Sequence, residues 1–201
     1  MNSSSLGLIV YILYLPVLLV MIVVAKSKYN HFSFSKNLLS QLAETISPVS
    51  WLVSLAIFLF GLLSFFFVRE FSRYLPEMVF SKISLFFLYL NCFCGLLISF
   101  FPRDKFRKVH GVIGTFLAVG IIGSLLFLIY PLAVSGTFPK ILVFLNILII
   151  IFAILLLFSD FIVSNKLDGL VSKHRSLWQW SMLSLIVAWD FIVAIFILLH
   201  R

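Results

Sequence analysis

The sequence predicts an all-α membrane protein, a bundle of six transmembrane helices, and three observations carry that prediction. Of 201 residues, 63% are hydrophobic and only 11% charged, against about half and about a quarter in a soluble domain. Mean hydropathy is +1.20. Six apolar runs each approach the roughly 20 residues that cross a ~30 Å hydrocarbon core: Leu6 to Ala25, Pro48 to Val68, Ile83 to Phe101, Gly111 to Val134, Ile141 to Val163 and Leu177 to Leu199. The connecting segments are too short for a soluble domain, and no linker, repeat or low-complexity tract divides the chain. Residues 1–201 therefore read as one domain.

The first run is too long for a signal-peptide core, follows an uncharged MNSSS and shows no small-x-small cleavage site, so it is expected to stay attached. Lys26 and Lys28 flank its far end, which favours an outside N-terminus. In the loop that follows, SKNLLSQLAETI places Leu38, Leu39, Leu42 and Ile46 at helical spacing behind a cap at Ser35. That pattern predicts a short helix in the membrane interface. Trp51, at the start of the second span, belongs with Trp178, Trp180 and Tyr130 to an aromatic belt.

The third span carries Asn91 and the chain's two cysteines, Cys92 and Cys94, which lie about 200° apart on a helix and read as packing residues rather than a disulfide pair. Pro102 ends it, and FPRDKFRKVH, Phe101 to His110, turns into the fourth with Arg103, Lys105, Arg107 and Lys108 around Asp104. The fourth span is small on two faces, Gly111, Gly114, Thr115 and Ala118 on one and Gly120, Gly123 and Ser124 on the other. Close backbone approach drives helix association in lipid, so this helix is expected to be central with neighbours on both sides. The fifth span contributes Asn146 and the sixth Asp190.

Loops after the first, third and fifth spans hold ten basic residues and the opposite rim five, Arg69, Arg73, Lys82, Lys140 and Arg201. The former rim is therefore predicted to be cytoplasmic, with both termini outside. A net charge of +8 spread along membrane edges, without a recognition-helix or RNA-binding pattern, points to anionic headgroups and not to nucleic acid. The pattern is open to a homo-oligomer but does not indicate one.

Asp190 stands about nine residues from the end of its span, ~13 Å at 1.5 Å per residue, where an ionised carboxylate costs roughly 2.5 to 3.5 kcal/mol. It needs a partner or a proton. Asn91, with Ser64, Ser124 and Asn146 at comparable depth, is the expected partner set: interhelical glue or a proton or small-solute site. On the basic rim His31, His110 and His174, with Asp104, Asp160, Asp168 and Glu44, offer donors for Zn²⁺, but at no metal-binding spacing, so no cofactor is expected. His200 lies on the other rim.

Three short motifs resemble the prokaryotic six-helix membrane family called domain of unknown function 998, akin to the eukaryotic DRAM/Sfk/Frag group. Ser40-Gln41-Leu42-Ala43 resembles Ser-x-Leu-Gly, with Ala43 for the glycine, followed by Gly61-Leu62-Leu63 in the second span. Gly95 and then Phe101-Pro102-Arg103-Asp104 leading to His110 resemble an FPxD-then-His signature. Gly169-Leu170 and Arg175 resemble Gly-Leu-x-x-Arg with a longer gap. The resemblance implies a prokaryotic cytoplasmic-membrane protein without an assigned reaction. Its eukaryotic relatives are associated with lipid handling, in GPI-anchor remodelling, phosphoinositide regulation and autophagy. It singles out Ser40, Asp104 and His110, and it implies an outward-facing motif rim where the charge count implies a cytoplasmic one.

Three functions are thus expected in order: binding or organising anionic lipid through Ser40, Arg103, Asp104, Lys105, Arg107, Lys108, His110 and Arg175; proton or small-solute transport through Asp190, Asn91 and Asn146; and lipid hydrolysis or transfer with Asp104 and His110 as acid/base or metal-ligand pair. The absence of a serine nucleophile elbow or phosphate-binding glycine loop weighs against an enzyme.

Overall fold

The computed structural model describes residues 3–29, 32–164 and 174–200. They form α1 (Ser3–Lys28), a one-turn α2 (Leu39–Leu42), α3 (Ser50–Ser72), α4 (Val79–Ile98), α5 (Arg107–Val134), α6 (Ile141–Ser164) and α7 (Arg175–Leu199). Among the described residues, all but α2 are long and apolar enough to cross a membrane, which makes this an all-helical integral membrane protein. Several helices outrun their apolar cores: α3 runs on through Arg69 and Glu70, α4 takes in Lys82, and α5 begins at Arg107. Extending the helix keeps backbone groups bonded until water can take over.

Each long helix packs on its chain neighbour, and α7 closes the ring onto α1 and, over a smaller area, onto α3. One apolar cluster fills the ring, from Leu8 and Tyr11 of α1 through Phe67, Leu88, Leu125, Ile149 and Val193 to Ile197. Small residues set the closest crossings. A Cβ on Gly61 of α3 would lie 2.7 Å from the Leu96 backbone nitrogen of α4 and 3.0 Å from the Gly95 carbonyl carbon.

The expectation for α5 holds on one face only. Gly120 and Gly123 face α4, where a Cβ would meet Asn91 at 3.3 Å and the Phe87 ring at 2.8 Å, and the Ser84 hydroxyl donates to the Ser124 carbonyl at 2.9 Å. On the other face a Cβ at Gly111 meets nothing within 4 Å, and Thr115 is exposed and bonds its own helix at Gly111. The α6 neighbour is reached instead through Asn146, whose amide donates to the Leu125 carbonyl at 3.2 Å. Sequence patterning locates small residues but does not say which face a neighbour occupies.

The first loop also differs from the expected amphipathic helix. Helix is confined to Leu39–Leu42, preceded by Leu38 and not by a Ser35 cap. Leu38 and Leu42 are buried, whereas Ile46 is 72% exposed. Three hydrogen bonds with α7 hold this turn-rich segment against the bundle: Ser176 Oγ donates to the Ser35 carbonyl at 2.6 Å, Trp180 Nε1 to the Asn37 carbonyl at 3.0 Å, and Gln179 Oε1 accepts from the Leu39 N–H at 2.8 Å. Trp180, expected as a belt residue, thus pins the loop, with Phe34 edge-on at 4.7 Å. Trp51 and Tyr130 are exposed. Both cysteines are free and buried.

Candidate functional site

The rim site is built where the first loop meets the turn joining α4 to α5. Helix α4 ends at Ile98, four residues before Pro102, and residues 99–106 turn back into α5 through a Phe106 N–H to Pro102 carbonyl bond of 2.9 Å. His110, in the first turn of α5, contacts the Phe101 carbonyl through Nδ1 at 2.7 Å. A carbonyl only accepts, so the imidazole carries its hydrogen on Nδ1 and this bond staples the turn to the helix. Asp104 does the equivalent for the loop. Its Oδ2 accepts from the Thr45 N–H at 3.0 Å and from the Thr45 hydroxyl.

The first loop is therefore a strap, fastened to α7 at Ser35, Asn37 and Leu39 and to the turn at Thr45. The Thr45 hydroxyl bond is the main reason the Asp104 carboxyl lies below the usual carboxylate range. Burial pushes neighbouring Glu44 up, partly opposed by the Arg103 guanidinium and reinforced by Asp104. A lowered folded-state value means the Asp104 link stabilises above the ordinary carboxylate range and is lost as pH falls through the folded value. Glu44 has the opposite sign, so the two are separated by mutation. A nitroxide at Ile46→Cys is expected to gain mobility below that range. Thr45→Ala should give the mobile spectrum at neutral pH and remove the pH dependence.

With Asp104 and His110 committed to these contacts, the groups facing outward are Lys105, Arg107 and Lys108, all exposed, while Arg103 is half-buried and close to Glu44 and His110. The first-loop residue bonded to Asp104 is Thr45, while Ser40, which the resemblance singled out on the same rim, is half-buried within α2. Arg175 and His174 lie at the opposite fastening of the strap, where His174 packs edge-on against Trp178. No three His, Cys, Asp or Glu side chains converge as a metal site among the described residues. His31, Lys166, Asp168, Gly169, Leu170 and Lys173 lie outside the described residues, as does the Asp160 side chain.

Inside the bundle Asp190 has a partner, but it is not Asn91. The Tyr11 hydroxyl of α1 donates to Asp190 Oδ2 at 2.5 Å, with Tyr11 fully buried and Asp190 8% exposed. Phe67 stacks on the Tyr11 ring at 5.0 Å, and Ser64 and Cys92 are its polar neighbours from α3 and α4. Asn91 lies in the α4–α5 seam against Gly120, and Asn146 in the α5–α6 seam, its Oδ1 buried without a hydrogen-bond partner. The five polar residues matched by depth thus divide among three seams.

Two residues escaped the sequence reading. Tyr11 stands eight residues from the start of α1 and Asp190 nine from the end of α7, and a phenol at that depth needs an acceptor. Depth matching extended to tyrosine would have found it. Glu70, 2% exposed and bonded to Arg73 at 3.1 Å, was assigned to a loop because the second apolar run stops at Val68. No family model, no curated protein and no solved structure matches this chain.

Proposed function

We propose that this protein binds anionic lipid headgroups at the α4–α5 turn, with Lys105, Arg107 and Lys108 as the contacting cations and Arg103 behind them. The observation that carries the reading is that these three exposed cations sit on a turn stapled from both sides, by His110 to Phe101 and by Asp104 to Thr45. Asp104 and His110 act as positioning residues, not as ligands or an acid/base pair. Each cation near an anionic surface contributes on the order of 1 kcal/mol, so three give roughly 3 kcal/mol, an enrichment of about a hundredfold. A fixed turn presents them together without paying again for their ordering.

The ten-to-five bias of basic residues supports a cytoplasmic rim here, with both termini outside, and the resemblance supports a prokaryotic membrane. The resemblance to the domain of unknown function 998 family, strongest over Phe101 to His110, agrees with a lipid-facing role for the turn. Native mass spectrometry on protein released from nanodiscs containing phosphatidylglycerol tests the proposal. Lys105→Ala/Arg107→Ala/Lys108→Ala should lose most of the retained anionic lipid while zwitterionic lipid is unchanged. Asp104→Ala/His110→Ala should lose a smaller part. Equal retention of phosphatidylglycerol by the triple variant and the wild type would refute it.

A further inference from the structure

We propose that Asp190 and Tyr11 form a proton-binding site inside the bundle, in which the hydrogen bond between the two side chains is kept whether the carboxyl holds its proton or has released it. The ligand is the proton itself, and the argument rests on the order of donors and acceptors. With Asp190 ionised, the Tyr11 hydroxyl donates to Oδ2 at 2.5 Å, and the Ser64 hydroxyl donates to its own helix at the Phe60 carbonyl at 2.7 Å. With Asp190 neutral, its O–H donates to the Tyr11 oxygen and the Tyr11 hydrogen swings to the Ser64 oxygen, which neighbours it and still has acceptor capacity. Ser64 keeps its bond to Phe60. Uptake adds one proton to the carboxylate, cancels one negative charge and changes the charge of no other group.

The surroundings select for such a group. Around Asp190, α1 presents Tyr11, α4 presents Cys92, and α3 presents only the Ser64 hydroxyl at this depth, its Arg69, Glu70 and Arg73 lying at its outer end. Within Ile141–Ser159, α6 has no titratable side chain. No basic side chain is placed beside the carboxylate among the described residues. An amide would accept the same Tyr11 bond without the charge but would bring two N–H donors that need acceptors, whereas a carboxyl offers an acceptor that can take up a proton in place.

Infrared difference spectra of the full chain in nanodiscs, between acid and alkaline pH, test this directly. The wild type should show a buried carboxylic C=O band that Asp190→Asn removes and Asp104→Asn leaves in place. Tyr11→Phe keeps the carboxyl and should shift the band to higher frequency by removing its hydrogen-bond partner, which supplies a readout even if Asp190→Asn folds poorly. The proposal is overturned if the Asp190→Asn spectrum coincides with the wild type, or if the Tyr11→Phe band is unshifted.

Discussion

Gly61→Ala is expected to destabilise the protein by about 1–3 kcal/mol, the usual cost of overpacking a tight contact. The added Cβ would meet the backbone of Leu96 at 2.7 Å and of Gly95 at 3.0 Å, so no side-chain rotation relieves it and α3 must move away from α4. In lipid that separation is costly, since helix association there depends on close packing rather than on expelling water. Gly95→Ala in the same crossing is the control. Its Cβ meets only the Gly61 Cα, at an ordinary 3.6 Å, and the change should cost well under the Gly61 value. Gly123→Ala should fall between, because its 2.8 Å contact is with the Phe87 ring, which can turn. Unfolding of the purified protein in sodium dodecyl sulfate orders the three variants. Equal midpoints for Gly61→Ala and Gly95→Ala would mean the helices do not cross at this pair.

Tyr11→Phe is expected to cost about 1–3 kcal/mol, because it leaves the buried Asp190 carboxyl without the Tyr11 hydroxyl as donor. Asp190→Leu should cost less, because the Tyr11 hydroxyl can turn to the Ser64 oxygen. The double variant removes both polar groups at once, so it should cost less than the sum, with a coupling of roughly 0.5–3 kcal/mol. Strict additivity in the same unfolding assay would show that the two side chains do not interact. The consequence for the fold is local but important. Helix α7 has its main neighbour in α6 and a thinner contact with α1, and the Tyr11–Asp190 bond joins the first and last helices within the membrane. It closes the ring.

The six spans were legible because hydrocarbon imposes one requirement on every residue in a span, and an apolar run of sufficient length records it. Their ends were less legible. Arg69, Glu70 and Lys82 look like loop residues by hydropathy, yet they sit on helices that continue into the interface, and Glu70 is buried there against Arg73. Lateral arrangement was the weakest. Asp190 announced that it needed a partner, and depth limited the candidates, but rotation about each helix axis decides which candidate faces it. Asn91 turns to Gly120, Asn146 to Leu125, and Tyr11 takes the position.

The rim follows the same division. The basic turn and its Asp104 and His110 stood out in the sequence as a cluster, whereas their roles became visible only with Thr45 and the Phe101 carbonyl in place. Neither contact has a sequence signal, since Thr45 lies 59 positions from Asp104 and a backbone carbonyl belongs to every residue. A motif of acid and histidine that suggests chemistry serves here to shape a turn.

The shared surface made by the strap and the α4–α5 turn is the premise of the lipid proposal, and side-specific labelling probes it most directly. Cysteines substituted singly for the exposed Lys36, Lys105, Lys82 and Lys140, in sealed vesicles with a membrane-impermeant maleimide, report which face each occupies against the low background of the buried Cys92 and Cys94. Positions 36 and 105 should label from one face of the membrane and positions 82 and 140 from the other. Labelling of 36 and 105 from opposite faces would contradict the account.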